Sequence, residues 1–435
     1  MEGSPKPRPG HSRNKSATKA RPRSSTKGPL DMDDSPLSSP PPQEMPVRLS
    51  QTPASTSTQT SPFPRSSIGS PPSTTRQPSQ KDFSFLLRPE IYHPLTPLNV
   101  PVAFRNSPKQ PAPDTPLQEL LSRGFYRAAA IAAVQELTSS VPHAPKIDPA
   151  DHARIFNLLY VRLTCLTLID ATSIAAQEVK ALEDLNNRAL YVDEVTGEHL
   201  VPWDLRVLNV RLQALGFGDP RRAVMSYHEL AREARARIGR ATADHDNSGR
   251  ELWKGRLYDL GIRIAGALVE MDDLEGAGQL LETLRDRGDG KVGLSKALLW
   301  LHVGNTDEAR KVVGQGSAGN KVVLALADMA DGNFEAALGR WRALKEGEEK
   351  EDEMVGTNMA VCLLYMGKMD ESRVLLEELV NKGFSSHTLL SNLSTIYELC
   401  TERNKRSLKL ELVDRVAAMD PSERGWEKVN ADFKL

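Results

Sequence analysis

Five times between Gly218 and Ser372 a turn-forming residue is followed, five positions later, by a small one. Gly218 is followed in this way by Ala223, Asp272 by Ala277, Gly304 by Ala309, Gly332 by Ala337 and Gly367 by Ser372. A large side chain then comes after each small one: Tyr227, Leu281, Val313, Trp341 and Leu376. No other feature constrains the chain as strongly. Glycine permits the positive φ that a helix-to-helix turn needs. The small residue lets two helices approach closely, and aromatics such as Tyr227 and Trp341 fill the gap to the next unit. A hairpin of this kind cannot bury its apolar stripe alone, so the units must stack on one another.

Gly304 and Gly332 lie 28 residues apart and Gly332 and Gly367 lie 35 apart, against about 34 for a tetratricopeptide repeat. Ala360, seven residues before Gly367, stands at another small-residue position of that repeat. The spacing therefore predicts an all-α tetratricopeptide-repeat α-solenoid, a right-handed superhelix of helical hairpins whose units are degenerate and unequal in length.

Composition divides the 435 residues into three parts. Residues 1–80 are dominated by Ser, Pro, Thr, Lys and Arg. They cannot bury enough apolar surface to offset the roughly 1–2 kcal/mol per residue of backbone entropy lost on ordering. A disordered, basic, Ser/Pro-rich tail is expected there. Residues 81–113 hold a run of apolar and aromatic side chains from Phe83 to Leu95 and again from Leu98 to Phe104, spaced by prolines that favour extended backbone. Such a segment either packs back onto the helical domain or docks a partner, and its adjacency to the fold favours the first. Residues 114–435 form the solenoid.

The formal net charge of -1 excludes a global footprint for nucleic acid. Lys6, Arg8, Arg13, Lys15, Lys19, Arg21, Arg23 and Lys27 make the extreme N-terminus basic, a solvated tail or a weak contact for an anionic membrane surface. Ser-Pro and Thr-Pro pairs such as Ser35-Pro36, Ser61-Pro62 and Thr96-Pro97 are candidate sites for proline-directed kinases. Cys165, Cys362 and Cys400 are widely spaced in apolar contexts, as expected of reduced, buried thiols in a cytosolic protein. The basic N-terminus is followed by no apolar run, and no window approaches a membrane span, so any membrane association is expected to be peripheral.

Within the helical part, Asp114 or Thr115 is expected to cap the first helix, with Pro116 in its first turn. Val141–Pro149 reads as a proline-rich break, after which Asp151 opens a helix. Further helices are predicted over Ser173–Leu190 and Trp203–Leu215, and Arg237–Arg250 is predicted to be a flexible surface loop. No phosphate-binding glycine loop, HExxH or GxSxG occurs in the sequence. The chain is accordingly read as non-enzymatic, with no cofactor, no metal and no small-molecule substrate. The acidic stretch Glu346–Glu353 reads as a solvated face. Asn358 and Asn392 fall on first helices of hairpins, where chaperone-linked repeats grip a carboxylate, but the matching lysines are absent. Trp203, Trp253, Trp300 and Trp341 are candidate interface anchors, each weighed against a place in the core.

Three blocks carry a more specific resemblance. AVCLLYMGKMDES at Ala360–Ser372, followed by SNLSTIYEL at Ser391–Leu399, is similar to the C-terminal repeats of the TRAPP (trafficking protein particle) complex subunit 12 family. LQELLSRGFYRAAAIAAVQEL at Leu117–Leu137 and VPWDLRVLNVRLQALGFGDPRRAV at Val201–Val224 resemble its opening and middle helices. The resemblance implies a scaffold subunit of a TRAPP III-type vesicle-tethering complex. Its partners would be other TRAPP subunits and, indirectly, a Rab1/Ypt1-type GTPase. It would be cytoplasmic and peripheral to endoplasmic reticulum and Golgi membranes, acting in transport between them and in autophagy-linked trafficking. The alternative is a tetratricopeptide-repeat adaptor or co-chaperone outside the trafficking machinery.

Overall fold

The computed structural model describes residues 81–140, 146–313, 318–347, 352–400 and 404–435. The tail reading for residues 1–80 lies outside them, as do parts of the Val141–Pro149 break and of the Glu346–Glu353 stretch. The described residues belong to one unit, Thr74–Leu435. They are helical, and among them the sole β pairing is an isolated bridge between Val192 and His199.

The helices in order are α1 (Val102–Arg105), α2 (Leu117–Ser122), α3 (Tyr126–Leu137), α4 (His152–Leu168), α5 (Thr172–Glu178), α6 (Arg188–Tyr191), α7 (Trp203–Phe217), α8 (Pro220–Ala243) and α9 (Asn247–Glu270). They continue as α10 (Leu274–Thr283), α11 (Lys291–Val303), α12 (Thr306–Val312), α13 (Ala318–Ala330), α14 (Phe334–Gly347), α15 (Glu353–Tyr365), α16 (Met369–Asn381), α17 (His387–Cys400) and α18 (Lys405–Ala417). Neighbours in sequence pack as neighbours in space, and first helices of successive hairpins also touch, α11 against α13 and α15 against α17. That two-way contact is the stacking a repeat solenoid requires.

Local chemistry accounts for the joints. Gly218, Gly304, Gly332 and Gly367 all adopt positive φ, and Asp272 holds the same conformation at the fifth turn with φ 62°. The residue after the turn often caps the next helix. Asp219, Asp273 and Asn305 accept hydrogen bonds from the backbone N–H groups of Arg221, Gly276 and Glu308 respectively.

Four expectations are corrected. Neither Asp114 nor Thr115 caps α2: Pro116 is its N-cap, and the Thr115 hydroxyl donates to the Ala112 carbonyl. The helix expected over Ser173–Leu190 is broken after Leu182, where Glu183 takes φ 52° and the chain turns so that the buried Tyr191 hydroxyl donates to the Leu182 carbonyl. The Arg237–Arg250 loop is almost wholly helix. Arg- and Ala-rich α8 runs to Ala243, and Asp246 already caps α9, leaving a turn of Asp244, His245 and Asp246. Residues 81–113 are not uniformly extended, containing single 3₁₀ turns at Ser84–Leu87 and Pro89–Ile91 as well as α1.

That segment is packed against the helices. Phe83 sits edge-on to Phe156 at 4.9 Å and near Tyr191 at 6.0 Å, and its backbone N–H donates to the Pro149 carbonyl. Beneath it lies a buried ion pair. Arg162 of α4 binds both carboxylate oxygens of Glu178 at 2.9 and 2.7 Å and donates to the carbonyls of Ala130 and His93. Removing one partner of such a pair strands the other charge, at about 3–5 kcal/mol.

The two ends of the helical series meet. The segment after α18 returns to α1–α3, where the Trp426 ring stands edge-on to Phe104 at 5.3 Å and to Phe125 at 5.6 Å. The Trp426 backbone N–H donates to the Gly124 carbonyl at 3.2 Å, and the Asn430 backbone N–H to the Asn99 carbonyl at 2.8 Å. Arg127 pairs with Glu427, and Lys109 with Asp420 at 2.7 Å. Contact is so close at Gly124 that an added Cβ would lie 2.1 Å from the Ser422 carbonyl oxygen.

Candidate functional site

The twelve positions singled out by the repeat pattern build the frame. Gly218, Gly304 and Gly367 are turn residues, as is Gly332, whose N–H donates to the Met329 carbonyl. Ala223, Ala277, Ala309, Ala337, Ala360 and Ser372 are buried where helices approach. Tyr227 and Trp341 are buried too, the Trp341 indole N–H meeting the Met329 sulfur at 3.3 Å. Ser372 is brought onto Ala360, its hydroxyl donating to that residue's carbonyl at 2.7 Å. None of the twelve lines the grooves described here.

Of the four tryptophans offered as interface anchors, Trp341 is core, while Trp203, Trp253 and Trp300 are half-buried. Cys165 and Cys362 are buried, and burial pushes their thiols up to about 12 and about 11. Cys400 is half-buried, a correction to the expected burial of all three thiols.

A groove of about 750 Å³ opens where the first helices α15 and α17 lie side by side. It gathers Thr357 and Asn358 from α15, Thr388 and Asn392 from α17, and Arg424 from the segment after α18. Helical periodicity puts Thr357, Asn358 and Val361 on the groove edge of α15, the first buried and the other two half-buried, while Val355, Met359 and Cys362 face its core. Asn358 donates one amide hydrogen to the Met354 carbonyl at 2.9 Å. The Asn392 amide makes no hydrogen bond among the described residues, and the buried Thr357 hydroxyl has none either. Arg424 lies over the Phe384 ring at 5.2 Å.

Unused amide and hydroxyl groups from adjacent helices suit the backbone of an extended peptide. A carboxylate grip is a poorer fit. Arg424 is the sole cation lining the groove among the described residues, and Asp352 and Glu353 stand at the same mouth. Those two acids are held by structure: Asp352 caps α15 through the Met354 N–H, and Glu353 accepts from the Ser386 N–H at 2.8 Å. Asn358 and Asn392 were marked by sequence position; Arg424 was not, because nothing local to it signals the return of the C-terminal segment. Among the described residues there is no cluster of metal ligands, and no helix is long and apolar enough to cross a membrane.

No family model matches the chain. It is 23% identical over 300 residues to human trafficking protein particle complex subunit 12, covering 60% of this chain and 40% of that protein. The mouse protein of the same name is 23% identical over 343 residues, covering 70% and 43%. The chain thus spans about two fifths of the length of the curated relatives it matches. Among solved structures, a tetratricopeptide repeat protein from Parabacteroides merdae aligns over 60% of this chain and 92% of its own at 14% identity, with a TM-score of 0.36. The chain is a stack of helical hairpins similar in sequence to trafficking protein particle complex subunit 12.

Proposed function

We propose that this chain is a non-catalytic scaffold of a TRAPP-type assembly, presenting its stacked hairpins to neighbouring subunits of a vesicle-tethering complex. The observation that carries the reading is similarity to subunit 12 over 300 residues, a span far longer than one generic repeat. The finer proposal is a TRAPP III-type complex acting on a Rab-family GTPase in endoplasmic reticulum-to-Golgi and autophagy-linked transport. In it the protein works at the surface of those membranes without crossing them. The groove between α15 and α17 supplies a contact for an extended segment of another subunit. The adaptor or co-chaperone alternative gains nothing from that groove, whose lining holds no lysine among the described residues for a terminal carboxylate.

The test is purification of the tagged chain from its own cells, with mass spectrometry of what accompanies it. Several TRAPP subunits at near-stoichiometric yield are expected. Chaperones or an unrelated assembly in their place would overturn the proposal. Asn392→Ala combined with Asn358→Ala should then weaken recovery of the subunit seated in the groove about tenfold without lowering the melting temperature of the chain.

A further inference from the structure

A second surface lies on the opposite stretch of sequence, where α6–α9 come together. Trp203 and Trp253 meet edge-to-face with ring centroids 5.3 Å apart. The Arg256 guanidinium lies over both rings, at 5.2 and 4.5 Å, with Arg206 over Trp203 and Arg237 over Trp253, each at 5.6 Å. Beside them a pocket of about 430 Å³ is lined by Arg188, Arg206, Arg237 and Arg240. Two of these have partners: Arg206 grips Glu233 with both terminal nitrogens, and Arg237 reaches Glu198 at 3.3 Å. Arg188 and Arg240 are exposed and make no ion pair among the described residues. His199, also in the lining, adds no charge. One ring nitrogen meets the Leu185 carbonyl at 3.0 Å and the other accepts from the Val201 N–H at 3.1 Å, so the imidazole is neutral. Nearby, burial holds the Arg256 guanidinium below its ordinary range, opposed in part by the Asp204 carboxylate.

We infer that this pocket binds an anionic side chain, phosphate or carboxylate, carried by a peptide segment of a protein partner. Arg188 and Arg240 supply the unspent charge, and planar guanidinium groups donate in pairs to such oxygens. Arg206, held by Glu233 and stacked on Trp203, gives the wall a fixed donor geometry. The adjoining recess shares Leu185, Asn186 and Arg206 and offers Asn209, Gln213 and Ser226 for flanking peptide groups. Half-buried tryptophan beside arginine is the composition in which interface energy concentrates. A membrane surface fits less well, because the exposed carboxylates Glu183, Asp184 and Glu229 line the recess and would meet the lipid charge. A single side chain can enter between them. This inference stands apart from the identity of the assembly, since it concerns only the charge and shape of α6–α9.

The test uses the full purified chain and fluorescein-labelled Gly/Ala nonapeptides whose central residue is phosphoserine, glutamate or serine, read by fluorescence polarisation at low salt. Preferential binding of the phosphoserine or the glutamate peptide is expected, and which of the two binds tighter identifies the source of the anion. The double variant Arg188→Glu/Arg240→Glu should weaken that binding at least tenfold, while Arg285→Glu/Arg342→Glu, equal in charge and remote from the pocket, should leave it within twofold. Circular dichroism melting of both variants establishes that they fold. No preference for a charged peptide over the serine one, or equal loss in both double variants, would overturn the proposal. So would capture of the chain by phosphatidylserine vesicles that fail with Arg188→Glu/Arg240→Glu while the peptides do not bind.

Discussion

The middle of the helical series and the place where its ends meet are built on different principles. Between α11 and α13 the buried apolar cluster consists of Ala297, Val313 and Val323, and α10 packs on its neighbours through Ala265, Ala277, Leu281 and Leu299. These are thin layers of small and medium side chains, each made by residues close in sequence. At the junction one cluster unites Phe104, Leu120 and Phe125 with Leu393, Leu412, Trp426 and Phe433, residues some 300 positions apart. Repeats supply contacts that depend on a neighbouring turn, whereas the junction supplies a dense core that depends on both ends of the chain. A repeat array without such a junction would fray from its termini.

That contrast can be broken experimentally. The largest effect is expected from Trp426→Ala, which removes the ring wedged between Phe104 and Phe125 and should cost about 3–5 kcal/mol. Val323→Ala in the thin layer should cost only about 1–2 kcal/mol, since it deletes two methyl groups. Urea unfolding measures both, and equal losses would show that the junction carries no special share of stability. Hydrogen exchange in Trp426→Ala should also rise in α3, although α3 is remote in sequence from the substitution.

A matched pair of glycine substitutions sharpens the same point. Gly124 and Gly367 both have positive φ, 69° and 79°. A Cβ at Gly367 meets nothing within 4 Å, whereas at Gly124 it lies 2.1 Å from backbone. Gly367→Ala should therefore cost about 1 kcal/mol of conformational strain alone. Gly124→Ala should cost at least twice that, because the clash can be relieved only by moving the C-terminal segment away. Comparable shifts in melting temperature would argue that the segment is loosely held.

Smaller again is the effect at Asp272, the one turn of the five where a side chain is forced into the conformation the others give to glycine. Asp272→Gly should stabilise the chain by up to about 1 kcal/mol, detectable as a rise in urea midpoint at constant slope. The smallest perturbation is chemical. Iodoacetamide at neutral pH should label Cys400 first, because Cys165 and Cys362 are buried with thiols near 12 and 11 and present almost no thiolate. Rapid labelling of Cys165 would place the opening of the N-terminal layer among the native motions.

Legibility in the sequence followed distance along the chain. Turn glycines, the small residues after them and the helix start at Asp151 are set within one helical turn, so their spacing was visible without the fold. Errors had two sources: a tertiary partner that overrode a local preference, and a local helix preference underweighted against polarity. The helix expected to run on to Leu190 stops after Leu182, where Tyr191 folds back on it. The supposed loop at Arg237–Arg250 is helix because its arginines are helix formers before they are polar. Asn358 and Asn392 could be placed on first helices from periodicity, but their shared groove with Arg424 could not, since Arg424 arrives from a non-helical segment after α18.

By itself the sequence determined that this protein is a stack of helical hairpins, because 3.6-residue periodicity and a glycine-to-small spacing leave a chain of these apolar stripes no other way to be buried. It also carried, in a few blocks of residues, a likeness to a subunit of a trafficking complex. Only the tertiary structure decided that the ends meet, that Arg162 and Glu178 neutralise each other in the core, and that arginines from α6, α7 and α8 share one pocket. Those features join residues tens to hundreds of positions apart. Neither a hydrogen bond nor an ion pair leaves a periodic trace across such a span; it exists once the chain has folded and brought its partners within reach.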